Sequence, residues 1–255
     1  MVFTLIEVKK KKLTNPILIE GLPGIGNVGK IAADFMIDSL NAQKIIEIHS
    51  YNFPHAVLID EDNLVQLPVI EIYYKHVGKH DLIFLIGDIQ PIDEESSYEF
   101  CEVLLKFLKS VKCKEIITLG GIGLHQIPNS PKVFVTGNDK KAISSFNGKN
   151  ISKETYNVVG PIVGVTGLLI GLSIRWGIPG VALLGETYGH PQYLGIKGAR
   201  EIIMILNKRY GMNLQLKELN SEISNIEKEI SSKLKQLGPV KSPKKWSPSE
   251  TSYIG

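Results

Sequence analysis

Short apolar runs alternate with segments of helical period from Pro16 to about Tyr210. That alternation predicts an α/β chain with a mostly parallel sheet covered on both faces. Ile17–Glu20 reads as a strand, followed by a glycine-rich turn and a helix from about Asn27 to Leu40. Ile45–Ile48 is the next strand. Ala56–Asp60 and Val69–Tyr74 read as a hairpin or edge pair, turning at Glu61-Asp62-Asn63. Asp81–Gly87 has the length and apolar content of a buried central strand. Glu94–Val111 is a helix with Phe100, Val103, Leu104, Phe107 and Leu108 on one face. Ile116–Gly120, Lys132–Thr136 and Val181–Gly185 are further strands. Residues 137–160 are polar and read as a loop with one short helix. Val163–Trp176 is an apolar helix, and Gly198–Tyr210 is a helix turning Ala199, Ile202, Ile203 and Leu206 inward.

The pattern changes after Gly211. Leu216, Leu219, Ile223, Ile226 and Ile230 recur at spacings of 3 and 4 among Glu and Lys, a heptad seam. An unpartnered seam would expose an apolar stripe, so these five residues are expected to form an oligomer interface or to pack on their own domain. Gly238-Pro239 ends the helix. Residues 239–255, with three prolines and four serines, are expected to form a flexible tail. The chain thus divides into a core at 1–211, a heptad helix at 212–238 and the tail.

Composition narrows the function classes. The 255 residues are 43% hydrophobic with a net charge of only +3, which gives no concentrated basic face for nucleic acid. The longest apolar stretch, Gly160–Trp176, carries Arg175 and four glycines and reads as a buried helix, so no membrane span is expected. The first residues place their lysines after the apolar part, the reverse of a secretory signal. Cys101 and Cys113 are too few for a disulfide framework and suit a reducing, cytoplasmic setting.

The glycine-rich turn carries two overlapping phosphate patterns. Gly24, Gly26 and Gly29 satisfy G-x-G-x-x-G between a strand and a helix, and Glu47 closes the next strand as a ribose-binding acid would. Gly24–Lys30 also fits most of a P-loop, but Ile31 stands where the magnesium-holding hydroxyl belongs. The alternative is a sharp turn that lets the helix lie close to the sheet. Glu20, Asp88, Glu186 and His190 sit at predicted strand ends, where a crevice could support acid–base hydrolysis or glycosyl transfer. The same residues could instead cap helices and loops. The six histidines show no metal-ligand spacing.

Six segments occur in a characteristic order: Glu20–Lys30 (EGLPGIGNVGK), Tyr51–Ala56 (YNFPHA), Leu85–Pro91 (LIGDIQP), Thr118–Gly123 (TLGGIG), Gly160–Gly171 (GPIVGVTGLLIG) and Leu184–Gln192 (LLGETYGHPQ). Together they resemble the proteasome assembly chaperone family, particularly its archaeal branch. The resemblance implies a three-layer α/β/α fold like that of nucleoside phosphorylases, without catalytic residues or a cofactor. It also implies self-association and ATP-independent binding to proteasome α-subunits or the α-ring, and leaves open whether a paralogous chaperone is needed. Archaeal members can end in a tail with a hydrophobic–Tyr–any motif. Here Tyr253 is third from the end and follows Ser252, which departs from that motif. Tyr253, Ile254 and the carboxylate of Gly255 are the expected partner-binding residues. The rival reading is a nucleotide-binding transferase or hydrolase that uses the Gly24–Lys30 turn.

Overall fold

The computed structural model describes residues 2–60, 62–91, 93–152, 160–217, 220–221 and 223. The strands are β1 (Phe3–Glu7), β2 (Ile17–Gly21), β3 (Gln43–Ser50), β4 (Leu58–Ile59), β5 (Val65–Gln66), β6 (Ile70–Val77), β7 (His80–Gly87), β8 (Glu115–Leu124), β9 (Val133–Gly137), β10 (Ile151–Ser152) and β11 (Gly180–Tyr188). The helices are α1 (Val28–Leu40), α2 (Glu94–Ser110), α3 (Lys140–Ser144), α4 (Val165–Trp176) and α5 (Ile196–Tyr210). Among the described residues nine strands form one sheet in the order β1-β3-β6-β7-β2-β8-β11-β9-β10. Helices α2 and α4 pack on one face, over Leu18, Ile83 and Ile116. Helices α1, α3 and α5 pack on the other, over Ile19, Leu119 and Leu183. This is the expected α/β/α arrangement.

Local chemistry explains the helix boundaries. Asp93 caps α2: its Oδ1 accepts the Ser96 amide at 2.8 Å, while Ser96 Oγ accepts the Asp93 amide at 3.3 Å. Phe100, Leu104, Leu105 and Leu108 then bury one face of that helix. Asp139 caps the short α3 through the Ala142 amide at 2.7 Å. The central strands show little alternation, because all of β2 and the first eight residues of β8 are buried under helices on both sides.

Two expectations need correction. The sheet is mixed rather than mostly parallel: β7-β2-β8-β11 is parallel, whereas β1-β3-β6-β7 and the β11–β9 pair are antiparallel. The cause is the two-residue turn Gly78-Lys79, with φ 58° at Gly78, which can only return β7 antiparallel to β6. Likewise, residues 56–60 do not pair with 69–74. Leu58-Ile59 pairs with Val65-Gln66, and Ile70–Val77 joins the main sheet. Asp60 draws that turn tight: its Oδ1 accepts the amides of Asp62 at 3.0 Å and Leu64 at 2.9 Å, and Oδ2 accepts from Gln66 at 2.6 Å. The edge strand β1 was not anticipated from the sequence.

Beyond α5, Leu216 and Ile223 are partly buried against the α1/α5 core cluster, and Arg200 Nε donates to Asn220 Oδ1 at 2.7 Å. These two seam residues therefore rest on their own domain. Leu219, Ile226, Ile230, Tyr253, Ile254 and Gly255 lie outside the described residues.

Candidate functional site

The glycine-rich turn leaves the carboxyl end of β2 and enters α1 through a 3-10 turn at Ile25–Asn27. Gly26 adopts φ 61°, and a Cβ there would stand 2.8 Å from Thr187 Oγ1. Its carbonyl accepts the Gly195 amide at 2.7 Å. Gly29 lies so close to β8 that a Cβ would overlap the Leu119 carbonyl oxygen. The Asn27 amide donates to Gly24 O at 2.9 Å, and the Leu22 amide donates to Glu20 Oε1 at 3.0 Å. The glycines thus press the turn onto β8, the end of β11 and the segment after it, and its close neighbours are the chain's own atoms. The geometry favours the packing turn over a phosphate cradle.

Lys30 supports the same conclusion. Its Nζ lies 3.0 Å from Asp34 Oδ2 and 3.1 Å from Asp88 Oδ1. Burial works against its charge, yet these two carboxylates hold it above the ordinary lysine range. One cation shared by two carboxylates leaves the group net negative, which repels a phosphate. Glu47, the candidate ribose acid, is instead paired with Lys44 at 2.7 Å and His49 at 3.3 Å.

The remaining polar residues at strand ends do not converge. Glu186 Oε2 accepts the Lys132 amide at 2.8 Å, a loop-fixing role. His190 stacks on Tyr188 with ring centroids 5.8 Å apart, and its Nδ1 accepts the Gln192 amide at 3.2 Å. Strand register sets Glu20 beside Thr118, and Thr118 beside Ala182. Glu186 is four residues beyond Ala182, about 13 Å along the strand. Glu20, Asp88 and Glu186 therefore serve three separate local contacts.

A buried polar cluster under the turn was missed from the sequence. Glu20 is fully buried, and its Oε2 has no hydrogen-bond partner; neither does Thr118 Oγ1 on the neighbouring strand. Burial pushes the Glu20 carboxyl up to about 7, against the pull of the Leu22 amide, the Thr166 hydroxyl and the Leu119 amide. Cys101 on α2 is also pushed up, first by burial and then by the Glu20 charge. Gln90 ties the region together: its Nε2 donates to the Pro23 carbonyl, and its Oε1 accepts the Val165 amide at 3.1 Å where α4 begins. The only sequence signal for it was its place in the LIGDIQP segment. Among the described residues no group of three His, Cys, Asp or Glu could hold a metal ion, and no helix is long and apolar enough to cross a membrane.

Comparisons with known proteins agree with this geometry. The sequence pattern of the PAC2 family matches residues 18–234. The uncharacterized protein MJ1210 of Methanocaldococcus jannaschii is 29% identical over 218 residues, 86% of this chain and 83% of that protein. The crystal structure of Pyrococcus furiosus PbaB, an archaeal proteasome activator, superposes with a TM-score of 0.83 at 31% identity, covering 90% of this chain and 98% of PbaB. That of P. furiosus PbaA, an archaeal homolog of proteasome-assembly chaperone, gives 0.75 at 29% identity, covering 93% of each chain.

Proposed function

The chain belongs to the PAC2 family, and we propose from that membership that it is a proteasome-associated binding protein that works without catalysis. It self-associates and docks on proteasome α-subunits. The observation that carries this reading is the likeness to PbaB over nearly the whole of both chains. The site geometry supports it as well, because Lys30 is held by Asp34 and Asp88 and the glycines are packed on the chain's own strands. Nothing in the turn favours the nucleotide-binding alternative.

Two surfaces are proposed to act. Leu216 and Ile223 pack on their own domain, and the other residues of the heptad pattern, Leu219, Ile226 and Ile230, are the self-association residues of this reading. Tyr253 and Ile254, with Gly255, supply apolar contacts to the α-ring, and Lys241, Lys244 and Lys245 steer the segment toward an acidic surface. Several such segments on one oligomer strengthen weak single contacts by effective concentration. Affinity for an immobilised recombinant α-ring, measured with and without residues 253–255, tests the docking residues. Capture by the α-ring is expected for the intact chain and should weaken at least tenfold on truncation. No capture of the intact chain at micromolar concentration would overturn the reading.

A further inference from the structure

We propose that the β4–β5 arm docks on a second copy of this chain, at that copy's β1 edge. The inference rests on the self-association reading and adds a second contact surface to the heptad seam. β4 and β5 form a two-stranded ribbon of their own, inserted between the ends of β3 and β6. The register sets Ile59 opposite Val65 and Leu58 opposite Gln66, and continuing it one pair past the ribbon sets Val57 level with Leu67. By strand alternation Val57, Ile59, Val65 and Leu67 share a face, and each is between 52% and 74% exposed. Leu58 and Leu64 are exposed as well, and Tyr51 at the root of the arm is fully exposed. An isolated two-stranded hairpin is marginal in water, and an uncovered apolar one invites association. The turn of the arm carries Asp60 and Asp62, and in the sequence Glu61 between them makes three consecutive acids.

The complementary surface lies on the sheet edge. Among the described residues β1 is the terminal strand and pairs only with β3, so its outer edge presents unpaired backbone groups. Val2, Ile6 and Val8 alternate along it and are exposed. Lys9, Lys10, Lys11 and Lys12 follow directly, also exposed. Lysines beside an edge strand normally discourage pairing, unless the partner brings opposite charge. The arm tip brings it.

The placement of these features selects a second copy as the partner. Phe3 pairs with Ser50, the residue at which β3 departs for the arm, whereas Glu7 pairs with Ile46 and leads into the lysines. Arm root and lysine run thus lie at opposite ends of β1, separated by about 17 Å of strand. Two β1 edges set antiparallel about a two-fold axis reverse that relation. Each arm then lies beside the partner copy's lysines, with its apolar face toward the Val2-Ile6-Val8 line. Such a contact is self-complementary, as a two-fold interface must be.

Charge reversal tests the pairing. One variant carries Lys9→Glu, Lys10→Glu and Lys12→Glu, sparing Lys11, which lies over the Tyr74 ring at 4.7 Å. The other carries Glu61→Lys and Asp62→Lys, sparing Asp60, whose carboxylate holds the turn. Each reversed chain alone sets like charges against each other, whereas a mixed pair restores attraction at both contacts. By sedimentation velocity, each alone should associate at least about tenfold more weakly than the wild type, and the equimolar mixture should recover. A monomeric wild type would remove the self-association reading and this inference together. An oligomeric wild type whose reversed chains keep their mass, or whose mixture fails to recover, would remove the inference alone. Loss of α-ring capture at unchanged mass would assign the arm to the proteasome and overturn the second-copy pairing.

Discussion

Replacing Glu20 with glutamine should invert part of the protein's pH response. The carboxyl is fully buried, with Oε1 bonded to the Leu22 amide and Oε2 without a partner. Burial raises it from the ordinary 4.5 to about 7. Between those values the folded chain keeps a proton that the unfolded chain has released, so stability falls as pH rises through the interval. The contribution is fully present below about 4.5 and lost above about 7. At about 1.4 kcal/mol per pH unit, the loss amounts to roughly 3 kcal/mol. Glutamine keeps the size of the side chain and the acceptor for Leu22 and cannot ionise. The wild type should therefore lose about 3 kcal/mol relative to Glu20→Gln between pH 4.5 and pH 8. With an m-value of about 3 kcal/mol/M in urea, the midpoint difference should move by about 1 M over that range. Urea unfolding of both proteins at half-unit pH steps measures it, and the difference between them cancels every other titrating group. Parallel midpoint curves from pH 4.5 to 8 would refute the reasoning, because they would mean the Glu20 carboxylate is ionised at no cost.

Gly29→Ala should lower the melting temperature by about 8 °C, at the severe end of overpacking, because the new methyl meets the Leu119 backbone rather than a side chain that can turn away; a loss of 2 °C or less would show that α1 can shift. Arg209→Ala should cost about 2 kcal/mol by denaturant unfolding, since Arg209 Nη2 lies 3.2 Å from both oxygens of Glu115 and its guanidinium stacks 4.1 Å from the Phe146 ring. Burial pushes Asp81 up, but His76, the Thr14 amide and the Tyr74 hydroxyl together hold it below the ordinary value. Stability from Asp81 should therefore be present above pH 4 and lost as pH falls further, and Asp81→Asn should flatten that acid limb of the unfolding curve. Calorimetry with ATP or NAD at millimolar concentration should give no binding heat; micromolar affinity abolished by Gly26→Val would revive the nucleotide reading.

Much of the sheet was legible because the central strands are continuous apolar runs, as at Asp81–Gly87, Ile116–Gly120 and Val181–Gly185. The helices were legible from spacing, as with Phe100, Leu104 and Leu108 on α2. Strand direction was not, because a run of apolar residues carries no sign of its neighbour's polarity. The clue lay in Gly78-Lys79, two residues between β6 and β7, which signals a hairpin and hence antiparallel pairing. The hairpin at 56–67 was misplaced for a related reason. Apolar content alone extended the partner strand to Val69–Tyr74, while the short turn was dictated by the side-chain bonds of Asp60.

The site was legible as a motif and illegible as a role. G-x-G-x-x-G records that backbone approaches something closely at Gly26 and Gly29, and a pyrophosphate or the chain's own strand satisfies that need equally well. Which of them is present depends on what faces the turn: Thr187 and Gly195 at Gly26, Leu119 at Gly29. Those residues are 90 or more positions away in the sequence, brought in by the β8 and β11 crossovers. Lys30 repeats the lesson with charge. As a letter it completes most of a P-loop, but the fold returns Asp88 from the end of β7 to meet it together with its helical neighbour Asp34. A lysine that must cancel two carboxylates cannot also carry a triphosphate, so the same fold that preserves the motif removes its catalytic use. What remains chemically open on this chain is surface rather than crevice: an apolar arm with an acidic tip, and a sheet edge that ends in four lysines. Both are features through which a protein binds another protein.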